Sequence, residues 1–111
     1  MATLDHYEAA LRFVQIQALL LAEDYSPNGV DGLKVALEGH LDLLAESCDA
    51  FNGDDQHQAC RDIHDQCAAL LSLLREVAVS RRSANEGAVM QLVRELLTTI
   101  DRYKPLLQMP D

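Results

Sequence analysis

The chain has 111 residues and a mass of 12.3 kDa, with 49% hydrophobic and 24% charged side chains, one domain's worth of polymer and not the profile of a disordered segment. Nine basic against eighteen acidic residues leave a formal charge of −9, which disfavours a phosphate backbone, so no nucleic acid is expected as partner. No apolar run approaches a membrane span, and the opening MATLDHYEAA lacks the basic-then-apolar order of an export signal, so a cytoplasmic location is expected.

Leu contributes 19 residues and Ala 14, whereas Val, Ile and Thr together contribute 13 and Trp none. Unbranched and small apolar side chains lose little rotamer freedom in a helix, so an all-α fold is expected, one domain over residues 1–111. A first helix is expected over about residues 3–24, closed by Tyr25-Ser26-Pro27-Asn28-Gly29. Ser26 is placed as an N-cap with Pro27 at the first position of a second helix, residues 27–51. Asn52-Gly53-Asp54-Asp55 is a turn, with an aspartate to cap a third helix over residues 54–80. Ser83-x-x-Glu86 has capping-box spacing for a fourth, residues 84–104, which Pro105 ends, leaving a tail at 105–111. Short connections between helices of similar length imply an antiparallel up-down four-helix bundle.

Each helix carries an apolar seam in steps of three and four. The seams are Leu4, Tyr7, Leu11, Val14, Ala18 and Leu21; Val30, Leu33, Leu37, Leu41, Leu44, Cys48 and Phe51; His57, Cys60, His64, Cys67, Leu71, Leu74 and Ala78; and Val89, Leu92, Leu96, Ile100 and Tyr103. Helix one has a second apolar line, Ala9, Phe13, Ile16 and Leu20, nearly opposite its seam. One apolar side suffices for a helix in a solitary bundle, so this line is expected to be an interface, most simply of a homodimer.

Helix two has two further faces. Gly32, Ala36, Gly39, Leu43, Ser47 and Ala50 form a line of mostly small residues, expected to pack inside the bundle. Asp31, Glu38, Asp42, Glu46 and Asp49 form an acidic face. Residues 1–55 hold eleven acids and two bases, net −9, while residues 56–111 hold seven of each, net 0. A solvated face that keeps the chain soluble is the plainer explanation; the functional one is a strip for a basic or amphipathic helix.

The one chemically loaded stretch is His57-x-x-Cys60-x-x-x-His64-x-x-Cys67. A helix hairpin about Gly53 brings Cys48 opposite Cys60 and His40 opposite Cys67, a Cys/His set of the kind that binds zinc. The spacing matches no finger or ribbon pattern, and buried cysteine behaves as a small hydrophobe, so packing is expected, with no metal and no cofactor. Three cysteines without an export signal point to free thiols. No histidine has a Glu three residues before it, as di-iron bundles require, and none has the lysine and glycine that follow a phospho-accepting histidine. There is no nucleophile elbow and no phosphate-cradling glycine loop, so no enzyme is expected. The function expected is non-enzymatic protein–protein interaction through apolar helix faces, as in a small acidic adaptor or secretion-chaperone-like bundle. A metal- or redox-responsive Cys/His bundle is the alternative, and a histidine phosphotransfer-like module the second.

Overall fold

The computed structural model describes residues 4–48, 51, 53–80 and 86–106, with residues 4, 5 and 77–80 described in their backbone only. Four helices follow in chain order: α1 (Leu4–Glu23), α2 (Pro27–Ser47), α3 (Asp54–Ser80) and α4 (Glu86–Tyr103). Among the described residues there is no strand, and no helix is long and apolar enough to cross a membrane. Each helix packs on the next, and α4 returns against α1, so the four enclose one core.

The seams account for most of that core. Tyr7, Leu11, Val14, Ala18 and Leu21 of α1 are buried, as are Val30, Leu33, Leu37 and Leu44 of α2. Cys60, Cys67, Leu71 and Leu74 of α3 join Val89, Leu96 and Ile100 of α4. Complete burial of a Leu or Ile contributes about 1.5–3 kcal/mol, so these stripes are what hold the helices side by side. Helix α3 also buries Ala59, Ile63 and Leu70, a line beyond its expected seam, because it is flanked by both α2 and α4. Leu41, Leu92 and Tyr103 are only partly buried at the edge of the core.

The helix ends show which local signals act. Ser26 is the N-cap of α2 in extended backbone, and its Oγ accepts from the Gly29 amide at 3.0 Å, with Pro27 in the first turn. The third helix starts differently from expectation. Asp54 is its first residue and not its cap; Gln56 Oε1 accepts from the Gly53 N–H at 3.3 Å, while Asp54 and Asp55 complement the dipole. Helix α2 does not reach Phe51. It stops at Ser47, where the Cys48 N–H turns back to the Ala45 and Glu46 carbonyls and the Phe51 N–H bonds the Cys48 carbonyl at 3.3 Å. Phe51 then points inward, edge-on to Tyr7 with centroids 5.2 Å apart, so it joins the core from a turn.

Helix α4 ends at Tyr103, two residues before Pro105, as a proline stop requires. The start of the tail folds back over the bundle end, with Leu106 packed on the core and its carbonyl accepting from Gln56 Nε2 at 3.0 Å. Ser83, Arg81, Arg82, Asp49, Ala50 and residues 107–111 lie outside the described residues, as does the side chain of Ala78.

Candidate functional site

Five large hydrophobic side chains stand exposed among the described residues: Phe13 at 45%, Ile16 at 53%, Leu19 at 45% and Leu20 at 54% on α1, and Val35 at 66% on α2. All five belong to α1 and α2, which pack on each other. Ala9 is exposed on the same line of α1, so each of the four residues expected to form a second apolar face does face outward. Leu19 adds to the exposed apolar side of α1, and Val35 is exposed on the neighbouring helix.

Three close approaches show how α1 and α2 meet, the one at Leu21 lying in the core. The Phe13 ring lies against His40 with centroids 5.1 Å apart. A Cβ on Gly32 would come within 2.9 Å of Gln17 Oε1, and one on Gly29 within 2.9 Å of Leu21 Cδ1. The small-residue line of α2 therefore divides. Ala36 and Ser47 are buried, and Gly32 is pressed by α1, but Gly39 looks onto open space with nothing within 4 Å of an added Cβ. Glycine in mid-helix costs about 1 kcal/mol relative to alanine, and intramolecular packing explains it at Gly32 and not at Gly39.

The acidic face runs beside this surface on the same helix. Asp31, Glu38, Asp42 and Glu46 are exposed. Glu38 meets Lys34 at 3.9 Å and Arg75 of α3 at 3.5 Å, whereas no cation among the described residues pairs with Asp31, Asp42 or Glu46. Val35 lies within this strip, four residues from both Asp31 and Gly39, so the apolar and acidic surfaces adjoin.

Two of the three cysteines in the Cys/His cluster are not free. Cys48 and Cys60 are joined by a disulfide with their Cα atoms 5.6 Å apart, which corrects the expectation of free thiols. The register that set these residues opposite each other also brought them within bonding reach. Leu44 O lies 3.3 Å from Cys48 Sγ and 3.6 Å from Cys60 Sγ, an acceptor either sulfur gains as a donor on reduction. His57 Nε2 meets the Phe51 carbonyl, and half-buried His64 stands 3.4 Å from the Asp65 carboxylate. His40 does not turn toward Cys67; its Nδ1 donates to Ala36 O at 2.8 Å and its ring faces Phe13 of α1. Cys67 remains a buried thiol whose pKa burial pushes up to about 12, beyond the range in which a reactive thiolate forms. Among the described residues no three of these side chains converge as metal ligands.

Three buried side-chain polar atoms, Tyr7 Oη, Ser47 Oγ and Gln66 Oε1, have no hydrogen-bond partner among the described residues. Burial, and secondarily Cys67, raises the Tyr7 pKa, so its phenol stays neutral. A polar depression of about 640 Å³ between α3 and α4 is lined by Gln66, Gln91, Arg94, Glu95, Thr98 and Arg102 among others. Comparison with protein-family models, with curated proteins and with solved structures finds no match to this chain.

Proposed function

We propose that the protein is a non-enzymatic protein–protein interaction module, a small acidic adaptor or secretion-chaperone-like bundle that binds through the outer face of α1 and α2. One observation carries the reading: every large hydrophobic side chain exposed among the described residues is on these two helices. Scattered exposed leucines need no explanation, but their confinement to adjoining helices does. We read the bundle as antiparallel, since the pairs Leu21–Gly29, Gln17–Gly32 and Phe13–His40 step up α2 as they step down α1. That register sets Val35 level with Ile16 and Gly39 level with Phe13, which supports taking the exposed apolar side chains of the two helices as one surface.

A second copy and a foreign helix are the two occupants that would bury this surface, the first giving the homodimer expected of a doubly apolar helix. A photo-crosslinking residue placed singly at Ile16 or Leu20 tests the face itself. It is expected to trap a protein from these positions and not from Ser72 or Glu76, both exposed on α3. Equal trapping from both sets, or none from α1, contradicts the proposal.

The Cys48–Cys60 disulfide supports a second reading, a redox-responsive bundle. In the cytoplasm, where we place the protein, such bonds are usually transient and redox-sensing. Two-electron reduction by a dithiol would release the α2 end from α3 and leave both thiols near the Leu44 carbonyl. Under this reading trapping from Ile16 changes between oxidised and reduced protein; identical trapping in both states removes it. No observation here favours a phosphotransfer module: His40 and His57 engage backbone carbonyls.

A further inference from the structure

The hairpin face combines hydrocarbon, an open glycine and negative charge, and together these features define what fits. Phe13, Ile16, Leu19, Leu20 and Val35 expose in all on the order of 450 Å². A standard interface takes about 800 Å² from each partner, a little over half of it apolar, so the exposed apolar area is enough for either a second bundle or a single helix and does not choose between them. A single helix laid along the face would meet it with an apolar stripe anchored at steps of three and four. Gly39 presents bare backbone level with the Phe13–His40 contact, which lets another main chain approach closely there.

Charge then separates the occupants. Among the described residues Asp31, Asp42 and Glu46 flank the apolar surface without a cation, and Glu38 shares two. A second copy would bring the same four carboxylates and a net charge of −9 to the contact. A helix with lysines or arginines beside its apolar stripe would neutralise them, and its encounter would be steered by the same field. Resting on the reading that this face binds protein, we propose that its occupant is a cationic amphipathic helix of a different protein. The apolar stripe of that helix lies over Phe13, Ile16, Leu20 and Val35, and its basic margin faces Asp31, Glu38, Asp42 and Glu46.

The test uses the full chain and a labelled 18-residue Leu/Lys peptide with leucines at helical spacing, followed by fluorescence anisotropy. Two control peptides are a shuffled isomer of equal composition and a Leu/Glu version. Binding of the Leu/Lys helix is expected to weaken at least tenfold in Phe13→Asp/Leu20→Asp and in Asp42→Lys/Glu46→Lys. The second variant should also lose salt dependence. Asp65→Lys/Glu76→Lys on α3 changes net charge by the same amount away from the face and should weaken binding far less. The milder pair Phe13→Ser/Leu20→Ser, with circular dichroism of every variant, separates lost binding from lost folding. Equal binding of the shuffled peptide, equal loss in the α3 variant, or no loss on reversing Asp42 and Glu46 overturns the proposal. A wild-type dimer by light scattering that Phe13→Ser/Leu20→Ser dissociates and the peptide does not displace assigns the face to a second copy. That result defeats this inference while leaving the binding function intact; failure of crosslinking from Ile16 and Leu20 defeats both.

Discussion

The Cys48–Cys60 disulfide makes a quantitative prediction about stability. The bond spans a sequence separation of 12, and so closes a loop in the unfolded chain. In the chain-entropy account a loop of that size removes about 10 cal/mol/K from the unfolded state, or about 3 kcal/mol at 25 °C. Unfolding entropy of about 2.1 cal/mol/K per residue gives roughly 0.23 kcal/mol/K for this chain length. Reduction should then lower the thermal midpoint by about 12 °C. The assay is calorimetry of the same protein with and without a phosphine reductant, paired with thiol titration in denaturant. One titratable thiol, Cys67, is expected before reduction and three after. Cys48→Ala/Cys60→Ala should unfold near the reduced midpoint and ignore the reductant. Three thiols in the air-oxidised protein, or a shift below a quarter of the predicted one after verified reduction, would refute the reasoning.

Other perturbations follow from single contacts. Gly39→Ala adds a methyl to open space in mid-helix, and should stabilise the free protein by about 0.5–1 kcal/mol in urea titration while weakening peptide binding. Ser26→Ala removes the acceptor for the Gly29 amide and should cost about 1 kcal/mol in the same titration, with Ser26→Asp restoring most of it. Burial holds the Cys67 thiol and the Tyr7 phenol in their protonated forms, with folded pKa values above the 9.0 and 10.0 of the free groups. Their stabilisation is complete below about pH 9 and is lost as pH rises toward 12, because the unfolded chain gives up these protons first. The urea midpoint should therefore fall from pH 8 to pH 11, less steeply in Cys67→Ala; a midpoint that rises would contradict the burial argument.

Much of the architecture was legible as periodicity. The seams named the buried side of each helix, because a helix with one apolar stripe has one way to hide it. Less was legible where a residue answers to two neighbours. The Ala59–Ile63–Leu70 line of α3 has helical spacing but is interrupted by Gln66, so its second buried side becomes plain only once α4 lies against it. The extent of α2 was overestimated because Cys48 and Phe51 continue the heptad-like spacing; they are buried, but through a bond and a turn. Register sets Cys48 opposite Cys60, and the bond between them is not implied by an odd number of cysteines without an export signal. Register also sets His40 level with Cys67 without showing which side of α2 the ring takes. The second apolar line of α1 was legible as well, and its residues are exposed. Val35 escaped notice because one apolar residue among acids makes no pattern until a neighbouring helix supplies the rest.

The most direct measurement of the binding role is an amide chemical-shift map of the full, isotope-labelled chain during titration with the Leu/Lys helix. The account predicts the largest shifts in residues 9–20 and 31–46, saturating together, with α3 and α4 little changed. Shifts spread evenly over all four helices, or concentrated in the polar depression beside Arg94 and Arg102, would contradict it.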